Sequence, residues 1–128
     1  MLARPEIVLV VDDDAAVRAA LKFALEVEGF AVRLYDGPLA VLADTRLPSH
    51  GCLVIDYQMP QVDGVELVKR LRARAVTLPA ILISGRVNND LRRRAAQQGV
   101  SLVLEKPLSD AALVEGIREA LSVPPAPA

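Results

Sequence analysis

Short apolar runs alternate with longer segments of helical periodicity along this chain, and this alternation constrains the fold more than any other feature. The predicted strands cover residues 6–11, 30–34, 52–55, 79–84 and 102–104. The first run is rich in β-branched residues on both of its faces, which is typical of a strand buried on both sides of a parallel sheet. Five strand–helix units in series predict an α/β domain with helices on both faces of a parallel sheet.

Capping residues mark the ends of the predicted helices. Side-chain oxygens that accept backbone N–H groups favour helix starts, and glycine favours helix ends. The predicted signals, in chain order, are Asp14 and Gly29 for a helix over 15–28, Pro38 for a short second helix, Asp63 with Glu66 for a helix to about 74, Asn89 and Gly99 for the fourth, and Ser109 for a helix to about 121.

The domain organisation follows from length and from the character of the C-terminus. A chain of 128 residues has the size of one domain, and its 52% hydrophobic content is ample for one core. We predict that residues 1–122 form this domain. Residues 123–128 are rich in proline and alanine and cannot continue a helix. They are either a ragged end or the start of a linker to an absent output domain, and the sequence leaves both open.

Composition excludes several classes of partner and location. The net charge of −1 does not favour direct binding of nucleic acid or of an anionic membrane. No apolar run approaches the ~20 residues that span a bilayer, and the N-terminus lacks a signal peptide. The single cysteine, Cys52, excludes an internal disulfide and is expected to be a small buried hydrophobe. We therefore expect a soluble, cytoplasmic protein.

Polar residues follow the predicted strands at the points where ligands bind in open α/β sheets, beyond the carboxyl ends of the strands. Asp12, Asp13 and Asp14 follow the first strand, Asp56 the third, Ser84 the fourth and Lys106 the fifth. Tyr35 and Asp36, after the second strand, are expected to lie to one side. His50 lies in a polar turn and is not needed for the chemistry below.

Three of these acids point to a cation site. Asp14 is well placed as a helix cap, whereas Asp12, Asp13 and Asp56 converge if the first and third strands are neighbours. Carboxylates that lie close together raise one another's pKa unless a cation neutralises them. Hard oxygen ligands with open positions suit Mg²⁺, which often bridges to phosphate.

Lys106 and Ser84 extend this set toward phosphoryl transfer. Alone, the lysine is a surface charge and the serine a turn residue. Opposite an acidic cluster, Lys106 is better interpreted as a counter-charge, and Ser84 as a donor to a phosphoryl oxygen. An ionised carboxylate can attack phosphorus without a general base, and the reaction depends mainly on positioning and charge neutralisation.

Four segments resemble the signatures of response-regulator receiver domains of the CheY-like superfamily. They are Val10–Asp14 (VVDDD), Val54–Pro60 (VIDYQMP) with Gly64 after it, Ile83–Gly85 (ISG) and Glu105–Pro107 (EKP). Their order agrees with the family, the resemblance spans about residues 6–122, and the version is closest to receivers of the FixJ type. Four motifs in register are a strong signal, whereas any one alone would be weak.

The resemblance implies a single-domain, doubly wound, flavodoxin-like five-stranded parallel sheet of order 2-1-3-4-5. It implies a signalling domain of two-component systems and not an enzyme acting on other substrates. Asp56 would accept a phosphoryl group from a histidine kinase or a phosphotransfer protein in a Mg²⁺-dependent reaction. An output surface would then switch, and it would act either by homodimerisation or through an output domain attached in the full-length protein.

The resemblance also assigns roles to individual residues. Asp13 and Asp56 would ligate Mg²⁺ through their side chains, with the backbone carbonyl of Gln58 as a third ligand and Asp12 acting through a metal-bound water. Ser84 and Lys106 would hold the phosphoryl oxygens and complete the catalytic set around Asp56. The peptide bond between Lys106 and Pro107 is expected to be cis.

One position departs from the family pattern. The family's switch aromatic usually lies three residues before the lysine, and here that residue is Val103. Val103 has no large ring to rotate, so we expect phosphorylation to occur while the output surface changes by another route or only modestly. The three arginines at 92–94 form either a solvated helix face or an electrostatic interface, and the sequence does not decide between them.

Three rival interpretations remain weaker. A haloacid-dehalogenase-type phosphatase would use Asp12 as its nucleophile with Asp14 beside it, but it leaves Asp56 without a role and usually needs a longer chain. A receiver-like module that works without phosphorylation is disfavoured by the complete set of acids, hydroxyl and lysine. A flavodoxin-like nucleotide binder would offer backbone N–H groups to phosphate, where this chain offers acids.

Gln58, Gly85 and Arg86 occupy positions that flank the phosphoryl group in the family and tune its hydrolysis. A long cation at residue 86 is placed to shield or to contact an acyl phosphate. We therefore expect Arg86→Ala to change the rate of dephosphorylation, measured as the decay of the phosphorylated mass once the phosphodonor is removed. Unchanged decay in this variant would disprove the assignment.

Overall fold

Five strands alternate with five helices in the computed structural model, which describes residues 4–123. The strands are β1 Ile7–Val11, β2 Ala31–Tyr35, β3 Cys52–Asp56, β4 Ala80–Ser84 and β5 Leu102–Glu105. The helices are α1 Ala15–Val27, α2 Pro38–Ala43, α3 Gly64–Ala73, α4 Asn89–Gln97 and α5 Asp110–Ser122. Each predicted element is present, with ends that differ by about one residue.

The largest correction to the predicted strands concerns β2. The prediction began this strand at Phe30 and ended it before Tyr35. In the structure the backbone N–H of Phe30 donates to the carbonyl of Leu25 at 3.1 Å, so Phe30 belongs to the turn that closes α1. Tyr35 instead pairs with Val11 as the last residue of β2. Tertiary pairing with β1, which local propensity does not encode, sets this end of the strand.

The sheet has the order β2-β1-β3-β4-β5, and all of its pairs are parallel, as expected. The chain turns outward from β1 to β2 and then returns to the other side of β1 for the remaining strands. This reversal opens a crevice at the carboxyl ends of β1 and β3. The register pairs Val11 with Ile55, Asp56 with Ile83, and Ser84 with Glu105, so the residues that follow these strands meet at one edge.

Alternate residues of the central strands form separate cores on the two faces of the sheet. Leu9, Leu53 and Leu82 pack with α3 and α4 on one face, and Val8, Val54 and Ile81 pack with α1 and α5 on the other. Cys52 is fully buried in the second core, and burial raises the pKa of its thiol to about 12. The predicted role of Cys52 as a small buried hydrophobe is confirmed.

Most helix starts are capped by the side chains that the sequence predicted, and glycine follows two of the helices. Asp14 accepts the backbone N–H groups of Ala16 and Val17 at 2.9 and 3.2 Å. Asp63 caps α3 and Ser109 caps α5, while α4 is capped by Asn88, one residue before the predicted start. Gly29 and Gly99 follow α1 and α4 with φ of 95° and 75°, which glycine adopts without strain.

Helix α5 ends at Ser122, the residue at which the sequence analysis ended the domain. Val123 caps the C-terminus of α5, and the rest of the predicted tail lies outside the described residues. Between residues 4 and 123, none of the helices combines the length and apolar character needed to cross a bilayer.

Gly64 provides a test of how tightly α3 approaches the end of β3. A Cβ atom there would lie 2.8 Å from the carbonyl oxygen of Asp56 and 3.0 Å from Cα of Tyr57, and this backbone has little room to move. We expect Gly64→Ala to lower the free energy of unfolding by about 1–3 kcal/mol in urea denaturation. Gly37→Ala is the control, because a Cβ there meets nothing within 4 Å. Equal stability of the two variants would contradict this view of the site's backbone.

Candidate functional site

Three carboxylates converge at the carboxyl ends of β1 and β3. One oxygen from each of Asp12, Asp13 and Asp56 lies within 4.8 Å of the other two. Asp12 and Asp56 are only 4% and 6% exposed, whereas Asp13 faces solvent. The strand register brings these acids together, since Asp56 ends β3 while Asp12 and Asp13 directly follow its neighbour β1.

Hydrogen bonds fix the acidic loop after β1. The carboxylate of Asp12 accepts the backbone N–H of Asp14 at 2.9 Å, and the guanidinium of Arg18 donates to the carbonyl of Asp12 at 2.7 Å. Sequence reasoning did not single out Arg18. Its position one helical turn after the cap Asp14 is the signal that could have indicated it, because that spacing returns the side chain toward the loop.

Lys106 forms an ion pair with Asp56, with 3.0 Å between its Nζ atom and Oδ1 of the carboxylate. The backbone N–H of Lys106 also donates to the carbonyl of Ser84 at 2.9 Å, which anchors the loop after β5 to the end of β4. The bond between Lys106 and Pro107 is cis, as the resemblance implied. The lysine side chain is 41% exposed, so its charge remains partly hydrated while it faces the carboxylate.

Burial dominates the titration of this cluster. Burial raises the pKa of Asp56, and the hydrogen bond and charge of Lys106 offset this only in part. Burial also raises the pKa of Asp12, with a further contribution from the negative charge of Asp56. For Lys106, burial lowers the pKa, but the hydrogen bond to Asp56 and the three carboxylate charges together outweigh it and raise the pKa overall.

The donor set fits a hard divalent cation. Three carboxylates face one lysine, so the cluster carries excess negative charge in surroundings that disfavour ionisation. A cation bound there would relieve both effects, and oxygen ligands with room for water are those that Mg²⁺ prefers. The acidic cluster that the sequence predicted is therefore present, with Asp12, Asp13 and Asp56 as its members.

Ser84 is almost fully buried at the end of β4 and bonded to its own loop. Its hydroxyl donates to the carbonyl of Arg86 at 2.8 Å and accepts the backbone N–H of Arg86 at 3.3 Å. This loop leads directly into α4. Any new acceptor for the Ser84 hydroxyl, such as a phosphoryl oxygen, would have to displace the carbonyl of Arg86.

The remaining predicted positions surround the cluster or lie away from it. Gln58, Gly85 and Arg86 are exposed in the loops that follow β3 and β4. Val103 lies half-buried in β5 and packs against the core that also contacts α4. His50 is exposed before β3, 3.3 Å from Glu6, and so lies near the opposite edge of the sheet.

Asp14 and Tyr35 lie outside the acidic cluster. Asp14 caps α1, which leaves the phosphatase interpretation without its second acid. The hydroxyl of Tyr35 donates to Asp44 at 2.6 Å, so this side chain lies to one side, as expected.

Sequence reasoning named Arg94 only as one of the three arginines at 92–94 and missed its contact beside the site. Arg94 of α4 donates to the hydroxyl of Tyr57 at 2.8 Å and to Asp63 at 3.4 Å. Its guanidinium carbon lies 5.9 Å from the centre of the Tyr57 ring, within range of a cation–π interaction. No local sequence signal indicates this contact, which joins residues 37 positions apart.

Residues 8–118 match the family model described as the response regulator receiver domain. The chain belongs to the response regulator receiver domain family. Receiver domains of this family are signalling domains of two-component systems, in which phosphorylation of an aspartate is the family function. The recognition made from the four motifs is thereby confirmed, as is the expected fold class.

Relatives and solved structures point to the FixJ type within this family. The chain is 39% identical over 114 residues to the transcriptional regulatory protein FixJ of Bradyrhizobium diazoefficiens, a match covering 89% of this chain and 56% of that protein. The crystal structure of FixJ-N superposes with a TM-score of 0.83 at 34% identity, covering 98% of this chain and 99% of the other.

Full-length FixJ from B. japonicum gives the same TM-score of 0.83 at 37% identity, covering 92% of this receiver and 58% of that chain. The receiver spans about half the length of the FixJ relatives it matches.

The raised pKa of Asp12 predicts how stability depends on pH. Above its ordinary pKa of 3.8, Asp12 ionises in the unfolded chain while burial still resists ionisation in the fold. The free energy of unfolding therefore falls as pH rises from 3.8 through the raised value. Asp12→Asn keeps an acceptor for the N–H of Asp14 and removes the charge. In EDTA, we expect the variant to resist urea better than wild type at neutral pH.

Two further readings check the origin of this effect. The stability difference should vanish below pH 3.8, where Asp12 is protonated in both states. Added Mg²⁺ should stabilise the wild-type protein more than the variant, because a ligand that binds only the folded state shifts the unfolding equilibrium. A variant that is less stable than wild type in EDTA at neutral pH would refute the effect.

Proposed function

We propose that Asp56 of this receiver accepts a phosphoryl group in a Mg²⁺-dependent reaction and that the modified domain changes its output surface. The donor is a histidine kinase or a phosphotransfer protein of a two-component system. The observation that carries the proposal is the nearly buried carboxylate of Asp56, held 3.0 Å from Lys106 within 4.8 Å of two further acids. This arrangement matches the needs of phosphoryl transfer, namely a positioned nucleophile and charge neutralisation.

The cluster provides ligands for the cation. Asp13 and Asp56 would hold Mg²⁺ through their carboxylates and Gln58 through its backbone carbonyl, with Asp12 acting through a bound water. Mg²⁺ in that position would neutralise charge on the phosphoryl oxygens. Two hydrogen bonds support this assignment, because the N–H of Asp14 holds the carboxylate of Asp12 and Arg18 holds its backbone carbonyl before any cation binds.

The chemical step exchanges one bond to phosphorus for another. An oxygen of the Asp56 carboxylate attacks the phosphorus, and the bond from phosphorus to the donor's nitrogen breaks, leaving its electron pair on the donor. Lys106, which is already paired with Asp56, turns its ammonium group to a phosphoryl oxygen. Ser84 donates its hydroxyl to another phosphoryl oxygen in place of the carbonyl of Arg86.

Hydrolysis of the phosphorylated Asp56 would end the signal. Water attacks the phosphorus of the acyl phosphate and releases inorganic phosphate, which restores the carboxylate of Asp56. Gln58, Gly85 and Arg86 are exposed in the loops that follow β3 and β4, and this supports their role in setting the lifetime of the modified state. The domain thus catalyses its own phosphorylation and dephosphorylation only.

The wider context of the domain follows from its relatives' length. FixJ relatives are about twice as long as this receiver, so we propose that an output domain follows and that residues 123–128 begin the linker. Phosphorylation would then act through the output domain or through homodimerisation. The receiver itself would work in the cytoplasm without contacting nucleic acid or membrane directly.

The phosphoacceptor can be identified by intact mass. Incubation with Mg²⁺ and acetyl phosphate should add one phosphoryl group to wild type, and none to Asp56→Asn, because the amide is not a nucleophile of comparable strength. EDTA should abolish the gain. A gain that persists in Asp56→Asn but is lost in Asp12→Asn would favour the phosphatase-like alternative. A folded wild type that gains nothing, even from a histidine kinase, would favour a phosphorylation-independent module.

A further inference from the structure

Tyr57 links the backbone of the acceptor site to helix α4. Its N–H donates to the carbonyl of Ile83 at 2.8 Å, and its carbonyl accepts the N–H of Gly64 at 2.8 Å. The residue next to Asp56 is therefore fixed between β4 and the start of α3. A change in the backbone around Asp56 must move the Tyr57 side chain or break these bonds.

The Tyr57 side chain reaches α4 through Arg94. Arg94 donates to the Tyr57 hydroxyl at 2.8 Å and to the α3 cap Asp63 at 3.4 Å, and its guanidinium lies over the ring. Its side chain is 38% exposed, whereas the neighbouring Arg93 is 68% exposed and pairs with Asp90 on its own helix. Of the two neighbouring arginines, Arg94 is thus the one whose side chain turns toward the loop after β3.

The same helix is tied to the site at its other end. The Ser84 hydroxyl holds the carbonyl of Arg86, two residues before the α4 cap Asn88. Phosphorylation, as proposed above, would take that hydroxyl away from the loop. The Tyr57–Arg94 contact would then be the remaining restraint on α4, and the helix could leave its resting position only by weakening that contact.

The aromatic ring beside α4 comes from the residue after β3 instead of from β5. Val103 and Tyr57 pack against the same core cluster, which includes Leu91 and Ala95 of α4. The side chain of Val103 has no polar atom that could bond to α4, whereas the hydroxyl of Tyr57 accepts a hydrogen bond from Arg94 of that helix. The geometry therefore provides a route to α4 that does not need a ring at position 103.

We propose that the Tyr57–Arg94–Asp63 contact couples phosphorylation of Asp56 to the position of α4. This inference rests on the proposed function. The contact joins α4 to the acceptor loop in the resting protein and has to weaken when α4 moves, so it favours the resting position over the switched one. Because coupling between two sites is reciprocal, weakening the contact should shift the resting protein toward the switched state.

Two variants and their double mutant test the coupling. Backbone amide resonances of Leu91 and Ala95 report on α4 in isotope-labelled protein, before and after Mg²⁺ and acetyl phosphate, with intact mass measured on the same samples. Tyr57→Phe removes the hydroxyl and keeps the ring. We expect its unphosphorylated resonances to move toward the phosphorylated wild-type positions, as a shift of about five-fold in the equilibrium would produce.

The double-mutant cycle asks whether the two residues act through one contact. Arg94→Gln should shift α4 in the same direction and at least as far as Tyr57→Phe, since it also loses the Asp63 bond, and the double variant should add nothing beyond Arg94→Gln alone. Arg93→Gln removes the adjacent cation of the same helix and is the matched control, expected to behave as wild type. These readouts separate coupling from a merely structural role, which would change stability without moving α4 along the phosphorylation path.

Each remaining outcome has a definite meaning. If Tyr57→Phe rests at the wild-type positions and shows the full wild-type change on phosphorylation, the coupling proposal is wrong while the proposed function stands. If Arg93→Gln shifts α4 as far as Arg94→Gln does, the effect is one of helix charge and the proposal is also wrong. If wild type gains no phosphoryl mass, the proposed function fails, and the coupling fails with it.

Discussion

The structure depends on a concentration of carboxylates at the point where the sheet reverses its strand order. Asp12 and Asp56 are nearly buried beside one another and beside Asp13, and burial raises the pKa of both buried acids. Charges in such a place destabilise a fold unless they are paired or hydrogen-bonded. Lys106 and the backbone of the loop after β1 supply part of that compensation.

The rest of the domain holds this unfavourable cluster in place. The buried residues of strands β1, β3 and β4 form cores on both faces of the sheet, and the register of these strands fixes the spacing between the acids. Gly64 lets α3 approach the backbone of Asp56 more closely than any side chain would allow. This rigid support holds three carboxylates beside one lysine, an excess of negative charge that a bound cation would offset.

Signal output in this receiver has to proceed without an aromatic ring at position 103. The loop before α4 is bonded to Ser84, and the C-terminal half of α4 is bonded to Tyr57, the residue after Asp56. In the coupling proposed above, loss of the Ser84 contact leaves the Tyr57–Arg94 contact to hold α4 in its resting position. The residues of the proposed phosphoryl-transfer site thus follow the family motifs, whereas Val103 departs from the family pattern on the path to the output surface.

The sequence by itself determined the strands, most helix caps and the polar residues that end each strand. These are local features, since the strand runs, the Asp14 and Asp63 caps and the four motifs each depend on neighbours a few residues away. The tertiary structure decided the exact end of β2, the bond from Arg18 to Asp12, the resting partner of Ser84 and the contact between Tyr57 and Arg94. The long-range contacts among these depend on the distance and angle at which helices pack on the sheet, and no periodicity in the sequence encodes either quantity.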